Sequence, residues 1–154
     1  MGGHEDIDPD PWAVTFGGDG TYLHLGCAQS DPTDRSYLRV PLHVDAEGLA
    51  VRATLELNGC GGWVPGLIAY IDDLAVNFRG WDGEKSWRDD SGAVAFAATH
   101  NRMNTVALAV RLRPAYGYVG PGAWQADVVV PIEPGALSHI ASEVRSLFRD
   151  ARGM

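Results

Sequence analysis

With 154 residues, 45% of them apolar, the chain is long enough for one core that hides about 70% of the surface its unfolded form would expose, and two cores are not expected. Its formal charge of −8 disfavours phosphate backbones, and hence nucleic acid, and favours a cationic partner if the partner is a macromolecule. The longest apolar-biased stretch, Trp63 to Phe78, is broken by Asp72 and Asp73 and falls short of the roughly 20 residues a bilayer-crossing helix needs, so no membrane span is expected.

Residues 1–11, MGGHEDIDPDP, have neither a basic segment nor an apolar run; they read as a disordered acidic arm rather than a signal peptide, which makes cytoplasmic residence the expectation. A single domain is expected over 12–151. WAVTF opens it as a strand, and Gly17-Gly18-Asp19-Gly20 turns the chain into a second strand, TYLHLGC. SYLRVPLHV follows. In EGLAVRATLEL strict alternation puts Leu49, Val51, Ala53, Leu55 and Leu57 on one face and Arg52, Thr54 and Glu56 on the other. The period then changes. Trp63, Leu67, Ile68, Ile71, Leu74, Ala75 and Phe78 recur at three- and four-residue steps, a helical stripe ending at Gly80.

After that helix comes FRGWDGEKSWRDD. Trp81 folds back on the helix or the sheet edge, Asp82-Gly83 makes a turn, and Trp87 packs on the strand beyond, so Gly80, Trp81, Gly83 and Trp87 form a structural corner with both indoles largely buried. AVAFAATH, NTVALAVRLRP and AWQADVVVPIE are further strands, the last with Trp124, Ala126, Val128 and Val130 as its apolar row. Leu137, Ile140, Ala141, Val144, Leu147 and Phe148 mark a closing helix, with Pro134 in its first turn and Arg145, Arg149 and Arg152 toward its end. The class is α+β: one large, mostly antiparallel sheet of seven to eight strands in the order ββββαβββ(β)α, with both helices on one face. The two halves share a layout without a convincing sequence repeat.

Candidate chemistry is sparse. Gly17 to Thr21 resembles the GGDGT motif of NAD and diacylglycerol kinases, an alternative that would make the chain a nucleotide-dependent enzyme. The alternating strand after Thr21 instead makes a hairpin with Asp19 in its turn. His4, His24, His43, His100 and His139 show no metal-ligand spacing, and neither catalytic nor metal-binding residues nor a cofactor are assigned. Cys27 and Cys60 read as small buried or half-buried thiols, unbridged. The acidic residues Asp82, Glu84, Asp89 and Asp90, followed by Asp72 and Asp73 on the helix, are the candidate partner-binding cluster, their charges expected to point outward.

The helical pattern Leu67, Tyr70, Leu74, Phe78 followed by RGWDGEKSW, a strand to His100, the VALAVRL strand and an amphipathic helix resembles an actinobacterial family of unknown function with a GWxGxxxW motif. In its order of elements the chain is also remotely similar to WapI-type immunity proteins of polymorphic-toxin systems. That similarity implies a non-enzymatic protein that neutralises a cognate toxin, a basic one by charge, through binding. The alternative is a small-molecule-binding domain that uses one sheet face. Oligomeric state is not legible.

Overall fold

The computed structural model describes residues 12–18, 20–33, 37–58 and 63–152. Five strands, β1 (Trp12–Gly18), β2 (Thr21–Gly26), β3 (Gln29–Ser30), β4 (Tyr37–Ala46) and β5 (Leu49–Asn58), precede helix α1 (Trp63–Val76). Four more, β6 (Lys85–Arg88), β7 (Val94–His100), β8 (Val106–Leu112) and β9 (Ala126–Ile132), precede helix α2 (Leu137–Arg152). The α+β class and the antiparallel pairing match the sequence reading, but the strands form two sheets rather than one. β5 pairs only with β4, and β6 to β9 form a separate four-stranded meander.

The division falls at α1. Its 14 residues carry the chain about 21 Å between β5 and β6, and β6 then pairs with β7 and not with β5. The result is a strand meander followed by a helix, made twice. One core joins the halves, built from Phe16, Leu23, Val40 and Leu55 of the first sheet, Phe96, Leu108 and Val130 of the second, and the stripes Leu67, Ile71, Leu74 and Leu137, Val144, Phe148 of the helices. The helices also meet through the Arg145 guanidinium and the Asp72 carboxylate.

Strand β4 contains a proline although it has neighbours on both sides. One edge of β4 pairs continuously with β5, while the other pairs with β3 at Leu38 and Arg39 and with β2 from Leu42 to Asp45. In an antiparallel ladder successive residues turn their backbone groups to opposite sides. Pro41 therefore faces the gap between β3 and β2, where its missing N–H removes no ladder bond.

The hairpin expected at GGDG is present. Gly18 pairs with Thr21 across β1 and β2, and Asp19 itself lies outside the described residues. Gly17 has a second reason to be glycine: at φ +85 a Cβ there would come within 2.6 Å of Val130 on β9. Several expectations fail in detail. α1 stops at Val76, because the Asn77 amide donates to the Asp73 carbonyl and the chain turns, which leaves Phe78 42% exposed instead of in the stripe. β9 begins at Ala126, so Trp124 belongs to a loop and is 43% exposed. Pro134 sits in a 3-10 turn just ahead of α2. Cys27 is an exposed thiol rather than a buried one, and Cys60 lies outside the described residues, as do the arm 1–11 and the side chains of Arg149 and Arg152. Among the described residues no helix is long and apolar enough to cross a membrane.

Candidate functional site

At the corner after α1, Trp81 is buried, donates its indole N–H to the Ala98 carbonyl at 3.3 Å and meets His100 edge-on. The Arg102 N–H donates to His100 Nδ1, so the other ring nitrogen carries the hydrogen and donates to the Phe78 carbonyl at 2.7 Å. Trp87 is half-buried and stacks with Tyr70 and Phe96. Burial is the first cause that pushes the Tyr70 hydroxyl above the usual tyrosine range. Gly83 has φ +74, as the turn at Asp82-Gly83 requires, and Gly80, at φ +145, adopts backbone that side chains disfavour. Of the two indoles expected to be largely buried, Trp81 is buried and Trp87 only half-buried.

The acidic cluster is not one surface. Asp89 is 2% exposed and points inward, contrary to the expectation that its charge faces solvent. Its carboxylate accepts from the Glu56 N–H at 2.9 Å, the Ser91 hydroxyl at 2.8 Å and the Val94 N–H at 3.2 Å, tying the β6–β7 turn to the edge of the first sheet. Alternation failed here because β6 ends at Arg88 and Asp89 starts a turn. Asp82 pairs with Arg102, Asp73 with Lys85 and Asp72 with Arg145. The Asp90 N–H donates to the Glu56 carbonyl, and Glu84 is exposed. Most of the six carboxylates therefore already have partners within the chain.

The loop between β8 and β9 presents a different chemistry. Tyr116, Tyr118, Val119 and Trp124 are all exposed, Val119 to 89%. The loop is anchored against the first sheet: Tyr37 donates to a Glu56 carboxylate oxygen at 2.6 Å, Tyr116 donates to the same oxygen, and the two hydroxyls are 3.2 Å apart. The bond to Glu56 is the first cause that raises both hydroxyls above the ordinary tyrosine pKa. The Tyr116 N–H also donates to the Ser91 carbonyl at 2.7 Å. These ties hold Tyr116 at φ +59, a left-handed conformation that bulky residues avoid. Composition gave no warning of the cluster, since its three side chains come from positions 37, 56 and 116.

Beside that loop, the outer face of the second sheet is floored by alanines. One row crosses all four strands as Ser86, Ala97, Ala109 and Val129, and the next reads Arg88, Ala95, Arg111 and Asp127. Small side chains on the central strands leave a trough of about 630 Å³, rimmed by Glu84, Arg88 and the Arg111–Asp127 pair, with Val129 58% exposed on its side. Among the described residues no group of three or more His, Cys, Asp or Glu is assembled to hold a metal.

Residues 18–151 match the model of a family of unknown function, DUF6228. The chain belongs to that family. No curated protein matches it in sequence. Among solved structures it is similar to that of the plant transcriptional regulator PBF-2, with a TM-score of 0.50 at 8% identity, covering 94% of this chain and 85% of that one. At that identity the likeness concerns the fold alone, and it extends over both halves of this DUF6228 member.

Proposed function

We propose that this DUF6228 protein is a non-catalytic protein-binding module, and that its partner is a basic protein of the class neutralised by immunity proteins of polymorphic-toxin systems. The observation that carries the reading is the anchored, exposed aromatic loop Tyr116–Trp124. Tyrosine and tryptophan dominate binding hot spots because a rigid ring buries much area at little entropic cost, and a loop held by Glu56 and Tyr37 is preorganised to dock. The charge of −8 adds long-range steering toward a cationic surface. The resemblance in layout to WapI-type immunity proteins supplies the toxin class. Because Asp89 is consumed by the fold and Asp82, Asp73 and Asp72 are ion-paired with Arg102, Lys85 and Arg145, the exposed Glu84 contributes most directly to that steering.

The test is coexpression with toxic C-terminal domains of polymorphic-toxin proteins, with growth and calorimetric affinity as readouts. Protection and tight binding are expected, with Trp124→Ala and Tyr118→Ala each weakening affinity roughly tenfold or more while the melting temperature holds. Absence of binding by the intact chain, or full affinity in both variants, overturns the reading. The alanine-floored trough favours a second reading, a small apolar ligand on the sheet face. It predicts that Ala97→Phe, which fills the trough, abolishes binding of a fluorescent apolar dye such as ANS. Dye binding unchanged by that substitution removes it.

A further inference from the structure

Arg88 closes β6 and Arg113 follows β8, so the two stand on either side of β7. Register sets Arg88 beside Ala95, whose other neighbour is Arg111, and the Arg113 N–H donates to the Ala93 carbonyl at 3.0 Å. Alternation therefore turns both arginines to the outer face, on strands about 10 Å apart with Ala93 and Ala95 between them. They line one cavity of about 390 Å³, walled by the Ser91-Gly92 turn and by Tyr116 at the start of the aromatic loop. Arg113 Nε donates to the Gly92 carbonyl at 3.0 Å, which fixes the guanidinium and leaves its terminal nitrogens unused among the described residues. Arg88 is exposed and has no side-chain partner among the described residues. Elsewhere the pattern is the reverse: Arg39, Lys85, Arg102, Arg111 and Arg145 each hold an aspartate. In a chain with 20 acidic and 12 basic residues, two guanidiniums that share a cavity and have no paired carboxylate are the exception. Two aspartates border the same cavity, but Asp89 is spent on its three inward bonds and Asp90 has an interaction of its own, and neither is paired with Arg88 or Arg113.

We propose that the cavity between Arg88 and Arg113 receives the C-terminal carboxylate of the partner protein, an inference that rests on the protein-binding reading above and names the group that is captured. A guanidinium presents a planar fork of N–H donors that a carboxylate matches with two parallel bonds. A single negative charge fits best, because Asp90 on the wall repels the second charge of a phosphate. The site does not conflict with a basic partner. The charge of −8 draws in the body of that partner, and the arginines take the one anion that every unmodified chain ends on, ionised at neutral pH. Repulsion between that terminus and more distant carboxylates is screened beyond about 8 Å at physiological salt. A free small acid fits less well, because the cavity opens on Tyr116, the first ring of a loop whose exposed side chains offer contacts only to a longer chain. The Tyr116 N–H is held by the Ser91 carbonyl at 2.7 Å, so the cavity wall and the loop keep one geometry. The residues that precede the terminus then run along the loop that carries Tyr118 and Trp124.

The experiment selects twelve-residue peptides from a random library displayed with free C-termini on the immobilised full chain. Each winner is synthesised as the acid and as the C-terminal amide, and both are measured by calorimetry. Carboxylate capture expects the amide to bind roughly tenfold or more weakly, since hydrogen bonds to a charged group are the strong ones. Arg88→Gln and Arg113→Gln are each expected to weaken the acid by a similar factor and to leave the amide unchanged, so that the preference for the acid disappears. Added salt reduces that preference as well. No side-chain bond ties Arg88 into the fold; if Arg113→Gln, which loses the bond to Gly92, fails to fold, Arg88→Gln decides alone. Equal binding of acid and amide, an acid preference that survives Arg88→Gln, a selection that returns no peptide, or inorganic phosphate that binds by itself more tightly than any acid overturns the proposal. Trp124→Ala separates the two levels: peptides weakened by it but indifferent to amidation leave the protein-binding reading standing and sink the carboxylate site. Acid-selective peptides that ignore it keep the site and remove the loop from docking, and peptides indifferent to every change sink both.

Discussion

Asp89 shows how one residue changes role once its neighbours are known. In the chain it is one of four acidic residues in a short stretch; in the fold its carboxylate collects three hydrogen bonds while 2% exposed. A buried donor left without an acceptor costs about 1–3 kcal/mol, so Asp89→Ala is expected to lower unfolding stability by about 3 kcal/mol and Asp89→Asn, which keeps one acceptor oxygen, by roughly half as much. Urea titration of both variants measures this. A change under about 0.5 kcal/mol in Asp89→Ala would mean that the turn rearranges and that these bonds hold little. The burial of Trp81 in the same stretch was legible because a helix stop and a glycine turn flank it, whereas Trp87, expected largely buried, is half-buried. Asp89 was not legible, because its partners Glu56 and Val94 come from other strands, and only the register brings them together.

Among the elements, those with strict period 2 were read nearly to the residue. β5 and β8 alternate without a break, and register fixes which face each row takes. Trp124 and Phe78 were misplaced for one reason: each continues an apolar pattern past the point where local chemistry ends the element, at the loop before Ala126 and at the Asn77 cap. β3, two residues long, carries too little pattern to see, and it is held by the turn that follows. There Asp31 accepts the Thr33 N–H at 2.8 Å and the Thr33 hydroxyl at 2.7 Å, and Arg39 reaches it from β4 at 3.0 Å. The Thr33 hydroxyl, then its N–H, and then Arg39 lower the Asp31 pKa to about 2 from an ordinary 3.8. A carboxyl depressed on folding stabilises the native state above its unfolded pKa, and that contribution disappears as pH falls through the folded one. The native chain is therefore expected to exceed Asp31→Ala in stability at pH 7, with the gap closing between about pH 4 and pH 2. Urea midpoints of the two proteins across that range give the answer; a gap that stays constant with pH would mean that the turn, and not its charge, carries the effect.

At the scale of the molecule, two similar strand-and-helix halves raise the question of whether either is a folding unit. The sequence displays the repeated layout but not its consequence, because the layout says nothing about which rows face each other. The core decides the matter: Phe16, Leu23 and Val40 of the first sheet lie in one cluster with Phe96, Leu108 and Val130 of the second, and both helices contribute to it. Gly17 approaches Val130 so closely that no side chain fits between β1 and β9. Cutting after Gly80 would expose these surfaces on both fragments, and domains of roughly 60–80 residues bury too small a fraction of their surface to lose such contacts and stay folded. Neither 12–80 nor 81–152 alone is expected to show a cooperative thermal transition or dispersed amide resonances, whereas mixing the two should restore both. A cooperative transition in either isolated fragment would show that the shared core is an interface between two domains rather than the centre of one. In that case the Asp89 bonds to Glu56 would be a contact between domains, and the anchor that Glu56 gives the aromatic loop would cross from one domain to the other.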